Sequence, residues 1–550
     1  MLSKLINLSV KHIIRKNSRC LSMNVNAKQT INYKKSIALG CGGILGAFVS
    51  YDALFLDYEN IGAALRFLRS AKIAIQMSLD YKIGLFNLKE GTEEYEHKLK
   101  EIHLKAANRL LEGCLLNGGL YIKIGQGFSA INHILPIEYT ETLKKLEDKC
   151  LVRKKDEVKK LFMEDFNQTP DELFSEFDYN PIAAASLAQV FRAKTKNGDD
   201  VAVKVQYIDL QKRFRGDVNT ILFLQDLIAM VHENYNFGWT LRDLKHSIEK
   251  ELDFINEADN AERCARDLAA FNFIYIPKVF RELSSTRVLT AEYIDNACKI
   301  SDIEGIKKMK LNLKDVDRKL FETFAYQIFC TGFTHADPHS GNIFIRKNKR
   351  GSGAELVLLD HGLYETIPEE IRYNLTRFWE AIVIRDYDMM KVYSDKLGVN
   401  DHKRFAEILL QKPLDVNKFS FSTKYTEIEV NYMKKIASER FDIIMNILRE
   451  MPRNLLFIVR NLNIVRAIAR EHGDLLNRPK IMARFAISSL LSSSSNYWEY
   501  FKRKLFFEYR LWKIFMEFWF MRNYLKLLEF LNRAPENMNE ILDMDFDQKR

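Results

Sequence analysis

Two stretches near the middle of the chain, 335-HADPHSGNIF-344 and 358-LLDHG-362, decide the fold. In the first, Asp337 and Asn342 lie five residues apart, ahead of an apolar run typical of a short buried strand. In the second, Asp360 follows another apolar run, residues 356–359. A carboxylate and an amide oxygen suit Mg²⁺, a hard ion that prefers oxygen ligands. The two stretches therefore predict strands that present polar side chains at one site, with Asn342 and Asp360 as metal ligands.

The spacing H-x-D-x-x-x-x-N followed by D-x-G is the one with which protein kinases hold Mg²⁺ and the transferred phosphoryl group. Asp337 would then accept the proton of a substrate hydroxyl. Each motif alone is common, and an acidic loop with a helix cap would explain it. The joint pattern, with apolar strands on both sides, favours the kinase-like interpretation.

Composition limits the class of protein. The 550 residues are 47% hydrophobic and 28% charged, as in a globular protein with more than one core. Most of the formal net charge of +10 comes from eight Lys and Arg residues within positions 1–51, which hold no Asp or Glu. The basic charge is thus concentrated in a leader and does not indicate nucleic-acid binding. The seven cysteines form no C-x-x-C pair, which argues against a zinc or dithiol site.

The first 56 residues indicate targeting to a membrane organelle. Residues 1–35 are basic and carry a rough helical apolar stripe, which is typical of a mitochondrial presequence; a disordered basic tail is the alternative. Residues 36–51 carry no charge, and extension to position 56 gives the length of a membrane span. A buried or interfacial segment is the alternative. With the leader in the matrix, a span at 36–56 would place the remaining chain in the intermembrane space.

A strand-rich stretch carries the nucleotide-binding candidates. The sequence 201-VAVKV-205 matches the kinase strand whose lysine, here Lys204, contacts the nucleotide phosphates. In the loop before it, Ala183, Ala185 and Ala188 occupy the positions where kinases have glycine, ahead of Val190. Because alanine restricts positive φ and close backbone approach to phosphate, we expect an atypical nucleotide loop, and we expect Ala185→Gly to raise ATP affinity.

Three candidate site carboxylates, Glu251, Asp253 and Glu257, lie in 250-KELDFINEADNAER-263, which the sequence predicts to be helical. Glu257 can pair with Lys204, as the helix αC glutamate of a kinase does. Glu251 and Asp253 are not needed for that role, and a solvated acidic face would explain them. Downstream, 288-VLTAEYI-294 resembles the strand and hinge that join two kinase lobes, whose backbone would meet the adenine.

The regions on either side of this core are predicted to be helical. In 121-YIKIGQG-127, Lys123 and Gln126 share a helix face. After Asp360 no A-P-E segment follows, and 368-PEE-370 already opens another helix, so the segment that docks peptide substrates is reduced or missing. The aromatic- and Lys/Arg-rich stretch 497–530 predicts a helix that lies in a membrane interface or caps the C-terminal core.

Together these motifs resemble the UbiB family, also called aarF-domain-containing kinases, over residues 100–470. The resemblance implies an α+β, atypical protein-kinase-like two-lobe fold with a helical N-terminal extension that carries the KxGQ motif and a helical C-terminal extension. The expected organisation is a presequence (1–35), a membrane segment (36–56), the KxGQ extension (57–160), the N-lobe (161–296), the C-lobe core (297–400) and the C-terminal extension (401–550).

The resemblance also assigns roles to residues. Asp337, Lys204 and Glu257 are the expected catalytic residues, and Asn342 and Asp360 the expected Mg²⁺ ligands. Lys123 and Gln126 are expected to lie over the peptide cleft as a regulatory element, with Lys123 paired to Glu251 or Asp253. The expected nucleotide contacts are Ala183, Ala184, Ala185, Ser186, Val190, Lys204, Glu292 and Ile294.

Three functions remain open at this point. The first is an atypical kinase or ATPase that binds Mg-ATP at the mitochondrial inner membrane and acts in lipid and coenzyme Q homeostasis and in cristae organisation, with a lipid or quinone as a ligand. The protein is expected to face the intermembrane space, with the matrix as the alternative. The second is a non-catalytic, nucleotide-switched scaffold for a membrane or a partner. The third, disfavoured by the missing A-P-E segment, is an ordinary Ser/Thr protein kinase.

Overall fold

The computed structural model describes residues 59–86, 88–89, 91–130, 135–146, 155–184, 187–231, 238–349, 351–411, 414, 447, 451–492 and 497–531. The predicted presequence 1–35, the predicted membrane segment 36–56, and Ala185 and Ser186 of the alanine-rich loop lie outside these residues.

Helices and short strands alternate along this part of the chain. The α-helices are α1 (Glu59–Gly84), α2 (Glu93–Asn117), α3 (Leu120–Ala130), α4 (Ile137–Lys144), α5 (Lys155–Phe166), α6 (Pro170–Leu173), α7 (Leu210–Val231), α8 (Gly238–Glu251), α9 (Phe254–Asp267), α10 (Ile303–Lys308), α11 (Leu313–Ala325), α12 (Glu369–Ile384), α13 (Tyr387–Lys396), α14 (His402–Leu410), α15 (Arg453–Glu471), α16 (Arg478–Ser492) and α17 (Tyr497–Phe530). The strands are β1 (Glu176–Phe177), β2 (Ala183–Ala184), β3 (Ala188–Lys194), β4 (Asp200–Gln206), β5 (Ile274–Tyr275), β6 (Val288–Glu292), β7 (Cys298–Lys299), β8 (Phe333–His335), β9 (Ile343–Lys347), β10 (Ala354–Leu358) and β11 (Tyr364–Thr366).

The N-terminal sheet has the order β1-β3-β4-β6, with β2 paired to β3. Because side chains alternate across a strand, Val201, Val203 and Val205 of β4 enter the core beneath α5 while Lys204 lies on the opposite face. The predicted 201–205 strand is therefore present, one residue longer at each end.

The C-terminal sheets carry the two diagnostic stretches. Strands β9 and β10 pair antiparallel within the order β5-β10-β9-β7, and β8 pairs with β11. Ahead of β8, α11 passes into a π-helical turn, Tyr326–Thr331, that ends at Gly332. Gly332 has a φ of 69°, and a Cβ there would lie 3.2 Å from the carbonyl oxygen of Ile367. Glycine therefore suits this turn into β8 better than a residue with a Cβ.

Helices on both sides enclose this core. Helices α1 to α4 pack on one another and on α7, and α12 opens immediately after Pro368, as predicted. The largest apolar core lies among the C-terminal helices and buries Phe378, Trp379, Phe405 and Phe507. In the described part of the chain, no helix is long and apolar enough to cross a membrane.

One local expectation was wrong. Glu251 and Glu257 do not share one helix, because the chain breaks at Asp253, whose carboxylate caps α9 by accepting the backbone N–H of Ile255 at 3.0 Å. Helix α16 continues into the serine-rich stretch 488–495 and ends at Ser492, and residues 493–496 lie outside the described part of the chain. Serine is tolerated there because the Ser488 hydroxyl donates to the carbonyl oxygen of Arg484 one turn earlier.

Candidate active site

Lys204 and two carboxylates from distant parts of the chain meet between the sheets. The Lys204 Nζ lies 2.8 and 2.9 Å from the two Glu257 carboxylate oxygens and 3.2 Å from Asp360 Oδ2. Strand β4 supplies the lysine, α9 supplies Glu257, and Asp360 follows β10. The site thus joins both lobes through one ammonium group.

Burial and mutual charge set the protonation of this group. Burial raises the pKa of Glu257 to about 7, although Lys204 opposes the rise. Burial also disfavours the charged forms of Lys204 and Asp360, but their attraction outweighs it, so the pKa of Lys204 is raised and that of Asp360 is lowered. Lys204 and Asp360 are therefore charged at neutral pH.

Asn342 and Asp360 are brought together by a backbone hydrogen bond. The N–H of Leu359 donates to the carbonyl oxygen of Asn342 at 2.9 Å, and Asp360 Oδ1 accepts from Gly362 N at 3.1 Å. In the described residues, no group of three or more His, Cys, Asp or Glu side chains could hold a metal ion. Mg²⁺ needs fewer protein ligands, because substrate phosphates and water complete its shell. The oxygen donors of Asn342 and Asp360 fit that ion.

Asp337 lies next to a positively charged side chain that the sequence did not predict. Arg460 Nη2 lies 2.8 Å from Asp337 Oδ2, and the Asp337 backbone N–H donates to His335 Nδ1 at 3.2 Å. Burial raises the pKa of Asp337, but the positive charges of Arg460 and Lys123 outweigh burial and lower it overall. Asp337 is therefore ionised and held in one orientation.

The Asp-His-Gly motif is accommodated by a stack of buried rings. The His361 ring lies 5.7 Å from the ring of Tyr364, which stacks at 4.8 Å on His335. His361 Nε2 donates to the Leu358 carbonyl oxygen at 3.1 Å, which leaves Nδ1 to accept from the Tyr364 hydroxyl at 3.0 Å. Burial lowers the pKa of His361 to about 4, so the ring is neutral. His361 thus fills a core position, while the neighbouring Asp360 carboxylate contacts Lys204.

The KxGQ helix α3 is tied to the same region. Lys123 Nζ lies 2.6 Å from Glu251 Oε2, whereas Asp253 is used as the cap of α9. Gln126 donates to the carbonyl oxygen of Leu146 at 2.9 Å. Burial lowers the pKa of Lys123, but Glu251 and Asp337 outweigh burial and raise it. Of the two carboxylates that the sequence offered to Lys123, the structure selects Glu251.

Most of the expected nucleotide contacts that the structure describes lie in the N-terminal sheet, with Ala183 and Ala184 in β2, Val190 in β3, Lys204 in β4 and Glu292 at the end of β6. Ala183 pairs with Val190, and Ala184 with Gln189, between β2 and β3. The carboxylate of Glu292 accepts a hydrogen bond from the Tyr275 hydroxyl, and the backbone N–H groups of Glu292 and Tyr293 donate to the carbonyl oxygens of Lys278 and Asp200. Residues 288–294 were predicted to form one strand and the hinge, and the strand of that stretch, β6, pairs with β4.

Sequence analysis missed the contribution of α15 to this site. Asn454 donates to Glu365 Oε1 at 3.1 Å, Phe457 packs against Ala336 and Leu363, and Asn461 donates to the His335 carbonyl oxygen at 2.6 Å. These residues lie on one helix face together with Arg460. The only local signal was a set of polar residues within an apolar helix, which does not identify the surface they meet.

Comparison with known proteins identifies the family of this chain. The ABC1 atypical kinase-like domain matches residues 145–394. The chain is 42% identical to "Probable serine/threonine-protein kinase abkD" of Dictyostelium discoideum, over 86% of this chain and 68% of that protein. It is 32% identical to "AarF domain-containing protein kinase 1" of Xenopus laevis (80% and 84% covered) and 33% identical to the protein of the same name in Mus musculus (80% and 83% covered). The predicted kinase-like fold and family are thus confirmed, and the chain belongs to the ABC1 family of atypical kinases, also called the UbiB or aarF-domain-containing family.

Proposed function

We propose that this protein binds Mg-ATP between its lobes and is an atypical kinase or ATPase. The contact of Lys204 with both Glu257 and Asp360 is the observation that carries this proposal. A lysine beside the phosphates, a metal-binding carboxylate and a loop aspartate are the parts that phosphoryl transfer requires. Bound Mg²⁺ would neutralise charge on the phosphates, and Asn342 and Asp360 would hold it.

The chain's own residues have separable roles in this reaction. Lys204 binds and orients the phosphates, and Glu257 keeps the lysine in place. Asp337 orients the attacking hydroxyl or water and receives its proton. The alanines of the nucleotide loop approach phosphate less closely than glycines, so positioning depends more on Lys204 and the metal ligands.

The acceptor is proposed to be water or a small molecule. Lys123 of the N-terminal extension and Arg460 of the C-terminal extension both lower the pKa of Asp337. The two extensions therefore flank the carboxylate at which an acceptor would bind. An ordinary protein kinase has an open activation segment at this place, whereas here α12 begins at Glu369 directly after β11. Because the Dictyostelium relative is named a probable serine/threonine-protein kinase, protein phosphorylation is the alternative to test.

A location at the mitochondrial inner membrane, facing the intermembrane space with the matrix as the alternative, is part of this proposal. Its support is the basic leader and the uncharged segment of the sequence, together with the exposed aromatic side chains of α17. The aromatics sit among lysines and arginines, as in helices that lie in a membrane interface. They include Trp498, Phe501, Phe506, Tyr509, Trp512, Trp519, Phe520 and Tyr524.

We propose that the protein binds a lipid or a quinone and acts in lipid and coenzyme Q homeostasis and in cristae organisation.

Flotation of the full chain with vesicles containing anionic lipid tests the membrane part of the proposal. We expect binding that weakens in Trp512→Ala/Phe520→Ala. Binding unchanged in that variant would contradict a role of α17.

A nucleotide-switched scaffold is the second candidate. The observation that favours it is the ion pair of Asp337 with Arg460, which engages the carboxylate that catalysis would use. In a scaffold, nucleotide would order the lobes without turnover.

Thermal-shift titration of the full chain with ATP or ADP, with and without Mg²⁺, tests nucleotide binding. Ligand at 100 times its Kd stabilises by about 2.7 kcal/mol. We expect a Mg²⁺-dependent shift that is lost in Asp360→Asn and kept in Asp388→Asn, an exposed control. Absence of any nucleotide shift would refute the proposed function.

Turnover separates the enzyme from the scaffold. We expect phosphate release that is abolished in Asp337→Asn while the thermal shift with ATP remains. Tight nucleotide binding without phosphate release or transfer would favour the scaffold. Phosphorylation of an added protein, lost in Asp337→Asn, would favour an ordinary protein kinase instead.

A further inference from the structure

Helix α15 of the C-terminal extension is fixed against the catalytic loop. Asn454 donates to Glu365 Oε1 near its first turn, Phe457 packs on Ala336, and the fully buried Asn461 donates to the His335 carbonyl oxygen at 2.6 Å. These contacts lie within two turns of the helix and on both sides of Arg460. The backbone that carries Arg460 is therefore positioned as firmly as the catalytic loop itself.

The guanidinium of Arg460 has donor capacity that the described residues do not use. Its Nη2 contacts Asp337 Oδ2 at 2.8 Å, but its Nε is buried and has no hydrogen-bond partner in the part of the chain that the structure describes. The side chain as a whole is 31% exposed, so the part of it that a ligand can reach lies outside the buried Nε. A planar guanidinium with spare N–H groups matches the oxygens of a phosphoryl group.

The charges around Asp337 also favour a ligand of this kind. Lys123 pairs with Glu251 at 2.6 Å, and Lys204, the proposed contact of the nucleotide phosphates, pairs with Glu257 and Asp360. Arg460 is the cation in direct contact with Asp337, the carboxylate beside which the phosphoryl group would be transferred. A positive charge there would offset the repulsion between Asp337 and the phosphate oxygens.

We propose that Arg460 binds the transferred phosphoryl group of ATP, so that the C-terminal extension supplies a catalytic side chain to the active site of its own chain. This inference rests on the Mg-ATP function proposed above.

The step is an ordinary phosphoryl transfer. The bond from the γ-phosphorus to its bridging oxygen breaks, and ADP leaves with the electron pair. The oxygen of water or of a hydroxyl acceptor bonds to the phosphorus, and its proton passes to Asp337. Arg460 stays protonated and donates hydrogen bonds to the phosphoryl oxygens, as an arginine supplied in cis does in other phosphoryl-transfer enzymes.

The test compares nucleotide affinity and turnover in the full chain. Calorimetric titration with ATP and ADP in Mg²⁺ reports contact with the γ-phosphate, and phosphate release under saturating ATP reports turnover. The variants are Arg460→Gln, Arg460→Lys and Arg470→Gln, the last being an exposed arginine of the same helix. Arg460→Lys keeps a charge beside Asp337 but has no planar fork, so it serves even where Arg460→Gln unfolds.

We expect Arg460→Gln to reduce turnover roughly a hundredfold. This loss is smaller than the contribution of an arginine finger in other phosphoryl-transfer enzymes, because Lys123 and Mg²⁺ remain in the variant. We also expect the preference for ATP over ADP to fall in Arg460→Gln and, by less, in Arg460→Lys. Arg470→Gln should match the wild type in both measurements. If the wild type binds nucleotide without turnover, the ATP preference alone decides.

Three results would overturn the inference. Turnover and ATP preference equal to those of Arg470→Gln would show that Arg460 does not touch the phosphoryl group, while the proposed function stands. A rise in turnover in Arg460→Gln would make Arg460 a latch on Asp337 instead. A wild type that binds neither ATP nor ADP would remove the proposed function and the inference together.

Discussion

Lys123 of α3 and Glu251 at the end of α8 form an ion pair with an Nζ–Oε2 distance of 2.6 Å. The pair joins the N-terminal extension to α8, the helix directly before the one that carries Glu257. The Lys123 side chain is 23% exposed and the Glu251 side chain 14%. It is thus a partly buried tether between an extension of the fold and the nucleotide site.

Removing this lysine should loosen the extension. Lys123→Ala leaves Glu251 without its partner, and we expect a loss of about 1–3 kcal/mol of unfolding free energy, less than for a fully buried pair. Hydrogen exchange should accelerate in α3. Lys98→Ala, which breaks the exposed pair with Glu101, is the control and should leave both quantities unchanged. Unaltered exchange in α3 would mean that the pair does not hold the helix.

Glu257 should make stability depend on pH. The folded state keeps its proton up to about pH 7, whereas the unfolded chain releases it near 4.5. The contribution of this group to the unfolding free energy therefore falls as pH rises from about 4.5 to 7 and is flat above, a change on the order of 1–3 kcal/mol. Urea denaturation across this range should show the slope in the wild type and not in Glu257→Gln. Identical slopes in the two proteins would refute the raised pKa.

His472 and Asp317 should anchor the end of α15. His472 Nδ1 lies 2.6 Å from Asp317 Oδ1, with both side chains fully buried. We expect His472→Gln to lower the unfolding free energy by about 3–5 kcal/mol, because an uncompensated carboxylate remains. The double variant with Asp317→Asn should recover part of this loss. His97→Gln, at an exposed position, should be neutral.

The same pair sets a second dependence on pH. Burial lowers the pKa of His472, but its bond to Asp317 outweighs burial and raises it above 6.5. Its stabilisation is therefore complete below pH 6.5 and is lost as pH rises through the pKa of the folded state. Denaturation of the wild type against the double variant at two pH values measures this loss, and a constant difference would contradict it.

Phe507 should hold α17 on the C-terminal core. Phe507 is 1% exposed and packs within the largest apolar cluster, while its neighbour Phe506 is 54% exposed. Phe507→Ala should destabilise the protein by about 3–5 kcal/mol through the cavity it leaves. Phe506→Ala should alter stability little and vesicle binding more. Equal thermal stability of the two variants would show that α17 is not anchored by Phe507.

Much of the site could be predicted because its signals are local. The chain positions Asp337 and Asn342 on one loop, and strand alternation places Lys204 opposite Val203 and Val205. The pairing of Lys204 with Glu257 follows from the kinase-like pattern, and the structure shows that contact. The break at Asp253 was missed because a helix cap and a helix-interior aspartate look alike in an apolar-periodic stretch.

By itself, then, the sequence determined the kinase-like fold and the residues of the loop and strand motifs, since spacing along one or two strands controls where those side chains point. Only the tertiary structure decided which carboxylate pairs with Lys123, that His361 is a neutral ring within a stack, and that Arg460 meets Asp337. Helical periodicity predicts which face of α15 is buried. The surface that this face contacts is formed by residues more than a hundred positions away in the sequence. Packing between distant elements, which no local pattern encodes, places that arginine at the site.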